Sequence, residues 1–273
     1  MSILYIDKSD CVIGKQDNRI TVKYKDGMVR TIPVESIDGI TLLGHAQVTT
    51  QCIQECLKKG ISLSYFSKGG HYFGRLSSTG HIKATLQRKQ AGLYDQPFAL
   101  ELSKKIIYAK IHNQIVVLKR HSRSTNQNLS DIELHMKSAL RKVNYVKSIE
   151  ELMGYEGSAA KYYFKGLSIC IDDAFKFEGR SKRPPRDAFN SMLSLGYSIL
   201  MNELYGEIEI KGLNAYFGFL HRDAEKHPTL ASDMMEEWRA VLIDSTVMSM
   251  INGHEVHIDE FYSDDGEGVY ISK

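Results

Sequence analysis

"SSTGHIK", residues 77–83, is where the chain changes character. The stretch is rich in Ser and Gly, and the residue pattern differs on its two sides. Before it, short β-branched runs dominate. "LYIDKSDCVIGKQDNRITVKYKDGMVRTIPVESIDGITLLG" (4–44) is punctuated by Gln-Asp-Asn and Lys-Asp-Gly turn signals at strand-length spacing. In "NRITVKYK" (18–25), Ile20, Val22 and Tyr24 point one way and Thr21, Lys23 and Lys25 the other. One helix interrupts, about Thr49 to Lys59, and Gly60 ends it. "ISLSYFS" (61–67) and "HYFGRL" (71–76) supply two more strands.

Beyond the divide the period becomes helical. "ALELSKKIIYAKIHNQIVVLKRHSR" (99–123) places Leu100, Ile106, Ile107, Ile111, Ile115 and Leu118 on one stripe, with Lys104, Lys105, Lys110, Lys119 and Arg120 off it. Residues 129–152 predict a further helix or two. "SAAKYYFKGLSICI" (158–171), "AFNSMLSLGYSILMNELYG" (188–206) and "LASDMMEEWRAVLIDSTVMSMIN" (230–252) predict three more. The loop 177–190 holds the Pro184–Pro185 pair and cannot be helical throughout. The expected class is α+β: a small N-terminal β-sandwich domain (1–76), a linker (77–84) and a larger, all-α-helical domain (85–273).

Composition is that of an ordinary globular protein, with 42% apolar and 25% charged residues in 273. No apolar run is long enough for a membrane span, and the N-terminus lacks the regions of a signal peptide, so the expectation is a cytoplasmic protein without membrane contact. The four cysteines form no CxxC pair and read as small core residues in a reducing compartment. The net charge of +2 conceals a gradient: residues 1–80 carry +3, 81–190 carry +9 and 191–273 carry −10. A basic middle suits a polyanion, and an acidic end suits cations or the basic middle itself.

Three stretches carry possible chemistry. In "GFLHRDAEKHPTLASDMMEEW" (218–238), His221 ends an apolar run. Asp233, Glu236 and Glu237 then fall at i, i+3 and i+4 on one side of a helix, with Met234, Trp238, Val241 and Leu242 opposite. Alone, such acids are usually solvated or complement the helix dipole. "GYEGSAAKYYF" (154–164) sets Glu156 between two glycines that permit close approach of a backbone or ligand. Two carboxylates and an imidazole make a mixed O/N set suited to Mg2+ or Mn2+, with Zn2+ as another fit. Arg180, Lys182, Arg183 and Arg186, a helical stripe from Lys104 to Arg123, and Tyr162, Tyr163 and Tyr197 are candidates for contacting phosphates or bases. Singly, each is more often a surface charge or a core aromatic.

The order of "GYEGSAAKYYF", "KRPPRDAFNSMLSLGYSIL" (182–200), "GLNAYFGFLH" (212–221) and "TLASDMMEEWR" (229–239) resembles the CRISPR-associated endonuclease and integrase of spacer adaptation, the first-numbered Cas protein. The N-terminal pattern around residues 34–66 is similar to that family too. The resemblance implies an N-terminal dimerisation domain and a helical catalytic domain. It also implies a homodimer that works on double-stranded DNA, both spacer precursor and CRISPR repeat, with the small second-numbered Cas adaptation protein. A divalent metal, Mg2+ or Mn2+, would be held by Glu156, His221 and Glu236, with Asp233 supporting this catalytic set. Read from their own chemistry, Tyr163 and the 180–186 cations would serve DNA; Glu237 and His227 match no family motif. "GLNAYFGFLH" departs from the family's usual Asp-Pro at Asn214 and Ala215, and "EEWRA" from its Phe and Pro at Trp238 and Ala240. Implied function is insertion of spacer DNA by 3′-hydroxyl attack on a phosphodiester. The alternatives are a stand-alone metal-dependent nuclease or phosphodiesterase, and a non-catalytic DNA-binding scaffold.

Overall fold

The computed structural model describes residues 2–68, 72–181, 184–222, 225–264 and 268–272. It separates into two compact units, Met1–Ile82 and Lys83–Lys273.

The first unit holds two four-stranded sheets. In one, β1 (Ile3–Ile6), β5 (Gly39–Leu43), β7 (Ser62–Phe66) and β8 (Tyr72–Leu76) lie in that order, parallel except for the last pair. In the other the order is β4 (Val29–Pro33), β3 (Arg19–Lys23), β2 (Val12–Gln16) and β6 (Gln47–Val48). The turn signals sit where the chain reverses. Gln16 pairs with Arg19 across a two-residue turn in which Asp17 has φ 52°, and Gly27, φ 86°, turns β3 into β4. Ile13, Ile20 and Val22 from one sheet and Ile40, Leu42 and Leu63 from the other share one core. Thr21, predicted on the solvent side, is also buried, because Thr49 lies beside Gly14 and Thr21 where the chain enters α1 (Thr50–Lys59). Thr49 caps α1 by accepting from the Cys52 amide, and Gly60, φ 74°, closes it. All four cysteines are free and buried.

The second unit begins with α2 (Ala84–Gly92), α3 (Pro97–Ser124), α4 (Ser130–Val143) and α5 (Ile149–Cys170). It continues with α6 (Ala188–Ile210), α7 (Thr229–Met235), a π-helical segment (Arg239–Asp244) and α8 (Ser245–Asn252). The predicted stripe of α3 is its buried face: Ile106, Ile107, Ile111, Ile115 and Leu118 join Leu152, Tyr163 and Leu167 of α5 in the core. The two helices pack tightly at Gly166, where a Cβ would come within 2.7 Å of Leu118.

Two expectations change. The C-terminal unit is not all helix: β9 (Phe261–Asp264) and β10 (Gly268–Ile271) form a hairpin, anchored by Phe261 against Phe175 and by the Val269 amide on the Pro185 carbonyl. The helix predicted over 230–252 is three pieces, and its polarity is inverted. Asp233 is 0% and Glu236 3% exposed, whereas Met234, Trp238 and Leu242 are exposed. The reason lies in the site those acids build. Among the described residues, no helix is long and apolar enough to cross a membrane.

Candidate metal centre

The segment leading to His221 is irregular backbone that other elements hold in place. Gln90 of α2 is buried, and its amide donates to the carbonyls of Asn214 (2.8 Å) and Phe217 (2.9 Å) while its oxygen accepts from the Asn214 amide (2.9 Å). Asn214 in turn accepts from the Tyr216 amide (2.9 Å), a task the family's usual aspartate would also perform. Gly218 lies against the start of α7, so close that a Cβ would come within 2.8 Å of the Thr229 carbonyl carbon. Its amide donates to the Thr229 hydroxyl, which donates onward to the Tyr216 carbonyl.

Asp233 is what turns this loop into a site. One carboxylate oxygen accepts from the amides of Phe219 (2.6 Å) and Leu220 (2.9 Å). The other accepts from the amide of His221 (2.9 Å) and faces its Nδ1 at 2.7 Å. A fully buried carboxylate is tolerable here because both oxygens are satisfied. With Nδ1–H donating to Asp233, the imidazole presents Nε2 as its lone-pair nitrogen. That Nε2 stands 3.8 Å from Glu236 Oε1.

Glu236, just past the end of α7, meets two cations. Arg239 Nη1 donates to Oε1 at 2.9 Å, and Lys110 Nζ is 2.5 Å from Oε2. Burial pushes the Glu236 carboxyl up, but Lys110 and Arg239 outweigh it and hold the group below the usual glutamate range. Lys110 also pairs with Glu156 of α5. Burial pulls the Lys110 ammonium down, while Glu236 and Glu156 raise it by more. Lys110 was expected among the exposed cations of α3, yet it points inward. The helical period places it there: it follows Ile106 by four and Ile107 by three, in the buried register.

Glu156, His221, Asp233 and Glu236 are thus gathered from α5, the loop and α7, although Glu156 reaches the others through Lys110. No other backbone approaches Gly154 or Gly157 among the described residues, since a Cβ on either would meet nothing within 4 Å. Glu237 is partly exposed, and its carbonyl accepts from Asn113. His227 pairs with Ser232 at 2.7 Å. Among the described residues no three His, Cys, Asp or Glu donors stand close enough to hold an ion as they are. The chemistry of the set nonetheless fits a divalent cation: two carboxylates already converge on one positive charge, and a histidine nitrogen freed by Asp233 faces the same acid.

A second buried cluster adjoins the first through Arg239 and was not predicted. Asp244, at the end of the π-helical segment, accepts from the hydroxyls of Tyr197 (2.5 Å) and Tyr163 (2.9 Å). The guanidinium carbons of Arg180 and Arg239 each lie 5.2 Å from the Tyr197 ring centroid. Burial pushes the Asp244 carboxyl up to about 6, against the pull of the two hydroxyls and the two arginines. This corrects the assignment of Tyr163 to DNA: the ring is 0% exposed and its hydroxyl is committed to Asp244. Tyr162 stacks on His135. Arg180 is tied down by Asn190 (2.8 Å) and Ser194 (3.1 Å) as well as by Tyr197. Arg186 is exposed, and Lys182 and Arg183 lie outside the described residues. Asp244 was legible only as a polar residue in the buried register of Val247 and Met248.

The family model for CRISPR associated protein Cas1 matches residues 4–273. A CRISPR-associated endonuclease Cas1 of Mycobacterium tuberculosis is 44% identical over 249 residues, covering 91% of this chain and 73% of that protein. The structure of a CAS1 protein from Thermotoga maritima superposes with a TM-score of 0.86 at 22% identity, covering 100% of this chain and 86% of that one. The structure of a Cas6-RT-Cas1–Cas2 complex contains a chain that superposes with a TM-score of 0.82 at 26% identity, over 99% of this chain and 30% of the other. With its motifs, fold and sequence in agreement, the chain belongs to the CRISPR-associated Cas1 family.

Proposed function

We propose that this chain is a divalent-metal-dependent DNA endonuclease and integrase of CRISPR adaptation. The observation that carries this is the convergence of Glu156 and Glu236 on a single cation position, with His221 Nε2 turned toward Glu236 by Asp233. Glu156, His221 and Glu236 would hold Mg2+ or Mn2+. Once bound, the metal supplies Lewis-acid stabilisation of the charge that builds on the scissile phosphate and its departing 3′-oxygen.

The chain's own groups prepare that chemistry. Asp233 fixes the histidine tautomer and the loop that carries it. Arg239 holds Glu236 Oε1 and restricts its rotation. A DNA 3′-hydroxyl attacks a phosphodiester of the CRISPR repeat and exchanges one such bond for another. Water in its place gives hydrolysis at the same site. Arg186 with Lys182 and Arg183, and the exposed cations of α3, would bind duplex phosphates with salt-dependent affinity. Arg180 is engaged internally and would shape that loop. The working form is a cytoplasmic homodimer, paired through the N-terminal β unit and joined by a Cas2-type partner. The Cas2-type partner is supported by the Cas6-RT-Cas1–Cas2 complex, whose chain superposes on this one.

Incubating a branched half-site DNA with Mn2+ or Mg2+ tests this for wild type, Glu156→Ala and His221→Ala. Strand transfer by wild type, lost in both variants, is the expected result. Hydrolysis without strand transfer would leave a nuclease only. Activity untouched by either substitution would remove the metal set.

A further inference from the structure

The two acids assigned to the metal are already bridged by a charge of the chain's own. Lys110 is 8% exposed, and its ammonium contacts Glu156 Oε1 and Glu236 Oε2 together. Arg239, the other cation on Glu236, does not share this position, because it holds the opposite oxygen, Oε1, at 2.9 Å. Carboxylate-bound Mg2+ sits about 2.1 Å from its oxygens. An ion bridging Glu156 Oε1 and Glu236 Oε2 would therefore fall where the Lys110 nitrogen lies, 2.5 Å from Glu236. Two cations cannot occupy that point at once.

We infer, on the metal set proposed above, that Lys110 is the resident counter-ion of the acid pair: it holds Glu156 and Glu236 together without metal and must withdraw for a metal to enter. Its four-carbon stem allows the withdrawal, as a rigid guanidinium would not. Lys110 is a positioning residue. It sets the apparent metal affinity, because entry of the ion is an exchange of cations and not the filling of bare acids.

The test measures Mn2+ binding to the metal-stripped full chain by calorimetry and by the electron paramagnetic resonance of free Mn2+. The variants are Lys110→Gln, which keeps an amide donor without charge, and Lys110→Met, which keeps only the length. The Mn2+ Kd should fall by about tenfold in both, the equivalent of 1.4 kcal/mol of displaced competition. The metal-free Tm should fall, and the rise in Tm on adding Mn2+ should exceed that of wild type. Should Lys110→Met not fold, as judged by circular dichroism, Lys110→Gln decides. A Kd equal to or weaker than wild type in a folded variant overturns the inference while leaving the metal set intact. If neither wild type nor variants bind Mn2+, the metal set itself fails and takes this inference with it. Glu156→Gln is the control that must weaken binding if the set is right.

Discussion

Asp233→Ala should unfold the site before it touches any chemistry. The carboxylate is fully buried and accepts from three backbone amides, those of Phe219, Leu220 and His221, and from the His221 ring. A hydrogen bond to a charged group contributes about 1.5–3 kcal/mol, and each buried donor left without a partner costs about 1–3 kcal/mol. Summed naively, three orphaned amides give as much as about 9 kcal/mol. His221 keeps part of its side chain in solvent, so water can reach the vacated space and satisfy some of them. The expected loss is therefore about 3–5 kcal/mol, a large share of a domain's stability. Asp233→Asn should cost about half as much: its oxygen can serve one pair of donors, while its NH2 confronts the other. Equilibrium urea unfolding, followed by fluorescence, is the assay. Trp238 is the chain's one tryptophan and lies in the helical unit, so the signal reports that unit alone. A loss below about 1 kcal/mol for Asp233→Ala would mean that the loop holds its shape without the carboxylate, and the account of how His221 is placed would be wrong.

Four further outcomes follow from the second buried cluster and from the helix packing. Asp244 has its folded pKa raised from 3.8 to about 6, so the folded chain binds a proton more tightly than the unfolded chain. Stability relative to Asp244→Asn should be greatest below pH 4 and decline by about 3 kcal/mol as pH rises to about 6, then level off; parallel pH curves for the two proteins would contradict this. Tyr197→Phe removes the 2.5 Å hydroxyl contact that lowers the Asp244 pKa, so the decline should extend to higher pH, and overall stability should drop by about 1–3 kcal/mol in chemical denaturation. Gly154→Ala, in open space within a helix, should raise stability by about 0.5–1 kcal/mol. Gly196→Ala should lower it by about 1–3 kcal/mol, because its Cβ would come within 2.5 Å of Ile243. Equal effects at the two glycines would refute the tight contact between α6 and Ile243.

Much of the fold was readable because it depends on near neighbours. The turn residues Asp17 and Gly27 fall where the strands reverse, Thr49 and Gly60 bound α1, and the apolar stripe of α3 is its buried face. The same local logic failed where charges are buried. Periodicity put Met234, Trp238 and Leu242 inside and the acids outside, since an isolated helix face gives a carboxylate no reason to leave water. Lys110 was counted with the exposed cations for the same reason, though its register with Ile106 and Ile107 pointed the other way.

The sequence by itself determined that a β unit precedes a helical one, which residues are candidates for holding a metal, and the family to which the chain belongs. Only the tertiary structure decided how those residues are buried, oriented and paired. Lys110 meets Glu156 across 46 residues, and Tyr163 meets Asp244 across 81. Burying an ion is costly until its partner arrives, and the partner is supplied by a distant helix. Polarity along one helix therefore could not reveal that Asp233 and Glu236 face inward. That followed only once four amide and imidazole donors, a lysine and an arginine had been brought to meet them.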